Sequence, residues 1–183
     1  MEISNGLNPY TKLAFEAIKN YLENNKIIGA PQDLPREFYA RRAGAFVTLY
    51  QKTPLGEKEL RGCIGTYLPQ RENLAQEIIH NAISAATQDY RFPALTLSEL
   101  GDISIEVSIL SAPEQVLSPK SLDAKKYGVI AKTTDGRCGL LLPNIPSIKN
   151  VNEQISVACQ KGGIDSANDD LILHRFSVEK HED

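Results

Sequence analysis

Three stretches of the chain carry apolar residues at helical spacing, and each follows an asparagine that can cap a helix. The side chains of Asn8, Asn73 and Asn150 can accept hydrogen bonds from the first amides of the helices that follow them. Gln76 and Glu153 stand three residues after two of these caps, which is the spacing of a capping box. We therefore predict three helices that begin at these asparagines. Their predicted ends are Asn24-Asn25, the loop that starts at Asp89, and Gly162-Gly163.

Strands are predicted where β-branched and aromatic residues cluster, or where apolar and polar residues alternate. Residues 102–110 alternate most regularly, with four aliphatic side chains on one face and Ser104, Glu106 and Ser108 on the other. Asp135-Gly136 predicts a tight hairpin turn between two further strands. The other predicted strands cover residues 45–50, 59–67, 129–132, 138–142 and 171–178, with a turn at Thr53-Pro54-Leu55-Gly56 and a polar tail after residue 178.

The predicted helices and hairpin strands occur in groups, without the regular strand–helix–strand order of a doubly wound sheet. Such grouping is typical of the α+β class, and we predict a mainly antiparallel sheet flanked by helices. The chain has no internal repeat, no low-complexity segment and no sequence typical of a linker between autonomous domains. Residues 1–183 are therefore expected to form a single domain.

Composition and charge narrow the functional classes. The chain has 183 residues, with 20 Lys+Arg against 23 Asp+Glu and a net charge of −3. Proteins that bind nucleic acid by neutralising phosphates usually have a basic balance or a basic run, so this balance argues against nucleic acid as a partner. The apolar runs are far shorter than the ~20 residues that span a bilayer. The first residues lack the features of an export signal, and we expect a cytoplasmic protein without membrane contact.

The three cysteines, Cys63, Cys138 and Cys159, lie far apart in the sequence. They form no Cys-x-x-Cys pair and have no histidine at ligand spacing, whereas structural zinc takes about four ligands, usually in close pairs. An odd number of cysteines in a chain without an export signal is typical of reduced thiols. We therefore expect no disulfide, no metal and no cofactor.

The densest group of candidate functional residues is the segment Leu60–Gly65, Leu-Arg-Gly-Cys-Ile-Gly. On an extended segment, Arg61 and Cys63 project from the same face, and an adjacent arginine favours the nucleophilic thiolate. Glycine inside a strand often marks a bulge or a close approach by another group. Two interpretations remain open. Either Cys63 reacts and Arg61 binds an anion, or Cys63 is a small buried side chain and a carboxylate holds Arg61.

Glu106 and Ser108 lie on the polar side of the most regular strand, where a carboxylate lies either in a cleft or in an ion pair. Arg61 or Arg91 is the expected partner of Glu106. A Cys–His pair of Cys63 with His80 or His174 requires that folding bring them together. The candidate catalytic residues are Cys63 as nucleophile and Glu106 as acid or base, and the candidate ligand-binding residues are Arg61, Gly62, Gly65, Thr66, Arg91 and Ser108.

Several of these segments together resemble a known family. Gly44–Leu49, Leu60–Gly65, Asp89–Pro93, Ile105–Ser108 and Gly139–Pro143 occur in the order found in the AMMECR domain family, and the resemblance covers residues 10 to 178. Two further segments resemble the prokaryotic branch known as AmmeMemoRadiSam system protein A, namely Tyr127–Ile130 and Gln160–Ile164.

The resemblance implies an α+β fold with a larger sheet-containing part and a smaller one, and no established activity. It implies a functional centre at Leu60–Gly65, where Arg61, Gly62, Cys63 and Gly65 match the family pattern. A Memo-like protein and a radical S-adenosylmethionine protein are the implied partners. The chain lacks a cluster-binding cysteine triad and a histidine-rich iron site, so it is expected to carry neither of their cofactors.

The chain departs from the family pattern at one position: Cys138 stands where the family commonly has a second arginine. If that arginine contributes positive charge to the site, the site of this chain is less cationic. Two functions follow from the sequence as expectations. The preferred one is binding or chemical modification of a small anion at Leu60–Gly65. The alternative is an interaction module whose glycine-rich strand edge accepts a partner strand, with nucleic-acid binding a distant third.

Overall fold

The structure is a computed structural model that describes residues 8–53 and 55–183. Residues 1–7, which bear on the expected absence of an export signal, and Pro54 of the predicted turn lie outside the described residues. The chain divides into two compact units. The first contains residues up to Ile109 together with Glu179–Asp183, and the second contains Leu110–Val178.

The described residues form four α-helices and eight strands. The helices are α1 (Pro9–Asn24), α2 (Glu37–Ala40), α3 (Leu74–Thr87) and α4 (Val151–Lys161). The strands are β1 (Ala45–Lys52), β2 (Lys58–Gly65), β3 (Ile103–Leu110), β4 (Glu114–Val116), β5 (Gly128–Thr133), β6 (Cys138–Leu141), β7 (Leu171–Phe176) and β8 (Val178–Glu182). No helix among these is both long and apolar enough to cross a membrane.

The predicted asparagine caps are confirmed. Asn8 accepts hydrogen bonds from the amides of Tyr10 and Thr11, both at 3.0 Å, because its side-chain oxygen lies over the first turn of α1. Asn73 and Asn150 cap α3 and α4 in the same way, each accepting from the amide three residues later at 3.0 Å. These local signals explain why the starts of all three helices could be predicted.

The first unit contains a four-stranded sheet of order β2-β1-β3-β8. β1 pairs antiparallel with both β2 and β3. Val47 and Leu49 of β1, with Ile105 and Val107 of β3, are buried on the side of the sheet that packs in the core with α1 and α3. β2 is one edge of this sheet and β8 is the other.

The second unit contains a four-stranded sheet of order β4-β7-β5-β6. The predicted hairpin at Asp135-Gly136 joins β5 to β6, and Gly136 takes the positive φ of 93° that such a turn requires. Val129, Ala131 and Leu173 of this sheet belong to the same buried cluster as Ala158 of α4. The α+β prediction is confirmed: both sheets are antiparallel, and helices pack with each.

The prediction of a polar tail after residue 178 is wrong, because Val178–Glu182 forms β8 of the first sheet. Three of its five residues are charged, and Glu179, Lys180 and His181 each contact a residue that is distant in sequence. Lys180 binds Glu106, Glu179 binds Arg41, and the His181 ring stacks on Tyr10 with the ring centroids 3.7 Å apart. These partners are distant in sequence, so neither alternation nor strand propensity could reveal the strand.

Candidate functional site

The segment Leu60–Gly65 lies on the edge strand β2 and contains a β-bulge. Leu49 of β1 pairs with Gly62 and Tyr50 pairs with Leu60, so that Arg61 is the extra residue. A Cβ atom on Gly62 would lie 2.3 Å from the carbonyl oxygen of Ala85 in α3. Both features that glycine suggested at this strand, a bulge and a close approach, are therefore present.

The loop between α3 and β3 binds the Arg61 side chain through three hydrogen bonds. Its Nε and Nη2 donate to Oε1 of Glu99 at 3.1 and 3.0 Å, and its Nη1 donates to the carbonyl of Pro93 at 2.9 Å. Only 12% of the side chain is exposed. This geometry matches the interpretation in which a carboxylate holds Arg61. Because the bulge interrupts the alternation of side chains, Arg61 contacts this loop whereas the Cys63 thiol contacts β1.

The Cys63 thiol lies 3.3 Å from the hydroxyl oxygen of Thr48. Burial raises the pKa of this thiol, and the opposing effects of the Thr48 hydrogen bond and the Arg91 charge do not offset it. The thiol is therefore protonated at neutral pH. The expected promotion of the thiolate by Arg61 does not occur, because the Arg61 guanidinium is paired with Glu99.

An Asp–Arg pair covers the free edge of β2 at Cys63. The Cys63 amide donates to Oδ2 of Asp89 at 2.9 Å, and Nη2 of Arg91 lies 3.5 Å from the Cys63 carbonyl. Arg91 also donates two hydrogen bonds to Asp89, from Nε to Oδ1 at 2.9 Å and from Nη2 to Oδ2 at 2.6 Å. These hydrogen bonds hold the pKa of Asp89 well below its usual range. Side chains thus occupy the two backbone groups that a partner strand would use there.

A row of polar side chains crosses the sheet from Cys63. Cys63 is opposite Thr48, and Thr48 is opposite Glu106, so the three lie side by side on β2, β1 and β3. Nζ of Lys180 in β8 lies 3.1 Å from both carboxylate oxygens of Glu106. The Ser108 hydroxyl donates to Oε1 of Glu106 at 3.0 Å. We call the side of the sheet that carries Thr48, Cys63, Ser104, Glu106 and Ser108 the polar face.

The partner of Glu106 is therefore Lys180, and the expectation of Arg61 or Arg91 is wrong. Glu106 is only 7% exposed, so its charge requires a cation and hydrogen bonds nearby. Lys180 was missed because it stands in a segment without apolar alternation. The sequence offers one signal for Lys180. It is spaced two residues from both Val178 and Glu182, so the three side chains would share one side of a strand.

The surroundings of Thr66 and Gly65 differ from those of the polar row: Thr66 binds Glu77 of α3, and Gly65 packs against Phe46. The Thr66 hydroxyl donates to Glu77 of α3, which also accepts from the amides of Gln70 and Arg71 at 2.7 and 2.9 Å. A Cβ atom on Gly65 would overlap Phe46, at 2.3 Å from its ring. Glu77 is a buried carboxylate that organises the loop after β2, and sequence reasoning missed it because it occupies a helix position without a distinguishing motif.

The three histidines and the other two cysteines lie on elements other than β1, β2 and β3. The hydrogen-bond partner of the Cys63 thiol is Thr48, and no Cys63–His80 pair forms within residues 8–53 and 55–183. His174 and Cys138 lie on strands of the second unit. Arg137, next to Cys138, binds Asp135 and Asp169 at 2.7 Å each. In the described part of the chain no three His, Cys, Asp or Glu side chains are placed to hold a metal ion.

Two antiparallel sheets with their helices define an α+β protein, and the buried polar row on its first sheet is the feature that most requires explanation. The AMMECR1 family model matches residues 11–181 of this chain. The chain therefore belongs to the AMMECR1 family, in agreement with the resemblance carried by its sequence segments.

Relatives and a solved structure support this assignment. A protein of Thermotoga maritima is 49% identical over 177 residues, which are 97% of this chain and 99% of the relative. A protein of Clostridium acetobutylicum is 41% identical over 96% of this chain, which spans only 36% of that longer relative. The crystal structure of uncharacterized protein PH0010 from Pyrococcus horikoshii superposes with a TM-score of 0.83 at 32% identity, covering 95% of this chain and 89% of PH0010.

Proposed function

We propose that this protein binds a small anionic molecule where the polar face meets the Asp89–Arg91 pair. The observation that carries the proposal is the row formed by Cys63, Thr48 and Glu106. A sheet face gains more from burying apolar side chains than polar ones, so a buried hydroxyl and carboxylate in one row with a half-buried thiol suggest selection for binding or chemistry.

The protonation states favour particular roles in this site. The protonated Cys63 thiol and the Thr48 hydroxyl act as hydrogen-bond donors, and Glu106, paired with Lys180, acts as an acceptor. Arg91 supplies the positive charge, since 43% of its side chain is exposed. An anion bound beside Cys63 would raise the pKa of the thiol further, which favours binding over nucleophilic attack. Arg61 positions the loop and does not contact the ligand.

The experiment is a thermal-shift screen of small carboxylates and phosphates against the native chain. We expect a stabilising compound whose effect is lost in Arg91→Gln and weakened in Cys63→Ala. Arg36→Gln, which removes an exposed charge elsewhere, is the matched control and should respond like the native chain.

The proposal is overturned if folded Arg91→Gln and Cys63→Ala both restore full growth to a host that requires this gene. Rapid thiol alkylation of Cys63 at neutral pH would instead support the nucleophile role.

We further propose that the chain acts within the AmmeMemoRadiSam system, alongside a Memo-like protein and a radical S-adenosylmethionine protein. This placement rests on the sequence segments Tyr127–Ile130 and Gln160–Ile164. Deletion of the gene should then reproduce the metabolite changes caused by deletion of either partner gene. Unrelated metabolite profiles would contradict a shared pathway.

A docking role is the second candidate, because apolar side chains are exposed on β2 and on the loop after α3. Tyr90 is 95% exposed, and Leu60 and Leu97 are exposed as well. Strand addition at Cys63 would have to displace Asp89 and Arg91, so docking through these side chains is the simpler mode. A pull-down with the Memo-like and radical S-adenosylmethionine proteins tests this role. We expect Tyr90→Ser to weaken any complex, and no complex at micromolar concentrations would contradict docking.

A further inference from the structure

The second unit contains a pocket of about 120 Å³ at the end of β7. All of its lining residues belong to that unit, and they are Ser111, Glu114, Tyr127, Arg175, Phe176 and Ser177. Of these residues only Tyr127 belongs to a sequence segment described above, Tyr127–Ile130, and none is among the candidate site residues. Its chemistry therefore needs an explanation of its own.

Arg175 is the central charge of this pocket, and Glu114 satisfies it incompletely. Nε of Arg175 donates to Oε2 of Glu114 at 3.1 Å, and Nη2 lies 3.1 Å from the same oxygen. One oxygen thus serves two nitrogens, whereas the strongest arrangement places a separate oxygen on each. Nη1 donates to the carbonyl of Ser121 at 3.0 Å, and the guanidinium lies 4.6 Å from the ring centroid of Tyr127. The guanidinium is therefore fixed in orientation before any ligand arrives.

The Glu114 carboxylate is easily exchanged, because 67% of its side chain is exposed and exposed ion pairs contribute little to stability. Nζ of Lys126, which is not a lining residue, lies 5.1 Å from the ring centroid of Tyr127. Two cations thus lie near the Tyr127 ring. The hydroxyl of Ser177 adds a hydrogen-bond donor at the wall of the pocket, whereas the Ser111 hydroxyl already donates to the carbonyl of Ala112 at 3.2 Å.

We propose that this pocket binds a compact oxyanion, the carboxylate or phosphate group of a small metabolite, which replaces Glu114 on Arg175. The ligand oxygens occupy Nε and Nη2 separately, and the oxyanion is held beside the Tyr127 ring. Glu114 acts as an internal competitor that fills the site when no ligand is bound. This proposal is independent of the site on the polar face of the first sheet.

The test is a titration of the full chain with inorganic phosphate and, separately, with malonate, at constant ionic strength set by sodium chloride. Backbone amide chemical shifts report the affinity and the location of binding. Arg175→Met should weaken binding at least about tenfold, and Glu114→Gln should tighten it by about three- to tenfold because the competitor is removed. The controls Arg36→Met and Glu23→Gln remove exposed charges of the first unit and should leave the affinity within about twofold of the native value.

Each outcome decides the matter. Binding of phosphate alone or of malonate alone, with shifts confined to the pocket, supports the proposal and identifies the group recognised. Absence of binding by both anions overturns it, as does equal tightening by Glu114→Gln and Glu23→Gln, which would indicate a general effect of charge. If Arg175→Met fails to fold, the comparison of Glu114→Gln with Glu23→Gln remains decisive, because both retain Arg175.

Discussion

At the scale of single residues, Gly62 is constrained by the backbone of α3. A side chain there would meet the Ala85 carbonyl at 2.3 Å, and neither the helix nor the strand can shift without disturbing the core. We expect Gly62→Ala to lower the free energy of unfolding by about 3 kcal/mol. The control is Gly101→Ala, since no atom lies within 4 Å of a Cβ at that position. Urea unfolding compares the two, and equal midpoints would contradict the close approach.

Asp89 links stability to pH. The pKa of Asp89 lies below its usual value of 3.8, chiefly because of the hydrogen bond from Arg91. Ionised Asp89 therefore adds to the free energy of unfolding above pH 3.8, and this contribution is lost as the pH falls further, toward the pKa of Asp89 in the folded protein. We expect Asp89→Asn to lower the free energy of unfolding by about 2 kcal/mol at pH 7 and by progressively less below pH 4. Urea unfolding of both chains across this pH range measures the difference, with the exposed Asp33→Asn as control. A difference that stays constant with pH would contradict this role.

At the scale of elements, β8 is held to the first sheet by side-chain pairs. Lys180→Met leaves the Glu106 carboxylate buried without a cation, and we expect the free energy of unfolding to fall by about 2 kcal/mol. This is less than the loss expected for a fully buried pair, because Lys180 is partly exposed. The double variant Lys180→Met with Glu106→Gln should recover much of this loss. A double-mutant cycle by urea unfolding measures the coupling, and strictly additive effects would show that the pair contributes nothing.

The elements also differ in how far their sequences predict them. α1, α3 and α4 could be predicted because their caps and apolar stripes are local signals. β2 was predicted, but the direction of Arg61 was not, because one inserted residue changes the alternation. β8 and the role of Lys180 were missed because their stabilising partners lie far away in sequence. Local pattern therefore predicts elements, whereas charge pairing depends on the tertiary fold.

At the scale of the whole molecule, the α+β class and the AMMECR1 family could be predicted from the sequence and are confirmed, whereas the functional site stays a prediction. Cys63 and Glu106 do fall in one row, as their positions on two strands allowed. The chemistry of that row could not be predicted, because the pKa of the thiol depends on burial that no local pattern reports. The second unit was expected only from the family resemblance, and the pocket at Arg175 was not expected at all.

The place of β8 in the first sheet has a consequence for the order in which the protein forms. Lys180 follows Glu106 by 74 residues, and the second unit, Leu110–Val178, lies between them. The loop-closure cost of a contact rises with sequence separation, so we expect the Glu106–Lys180 pair to form after the more local contacts of each unit. During synthesis, Glu106 leaves the ribosome well before Lys180, the residue that balances its charge, has been added to the chain. The polar row therefore acquires its final charge balance only when the chain beyond the second unit has emerged and joined the sheet.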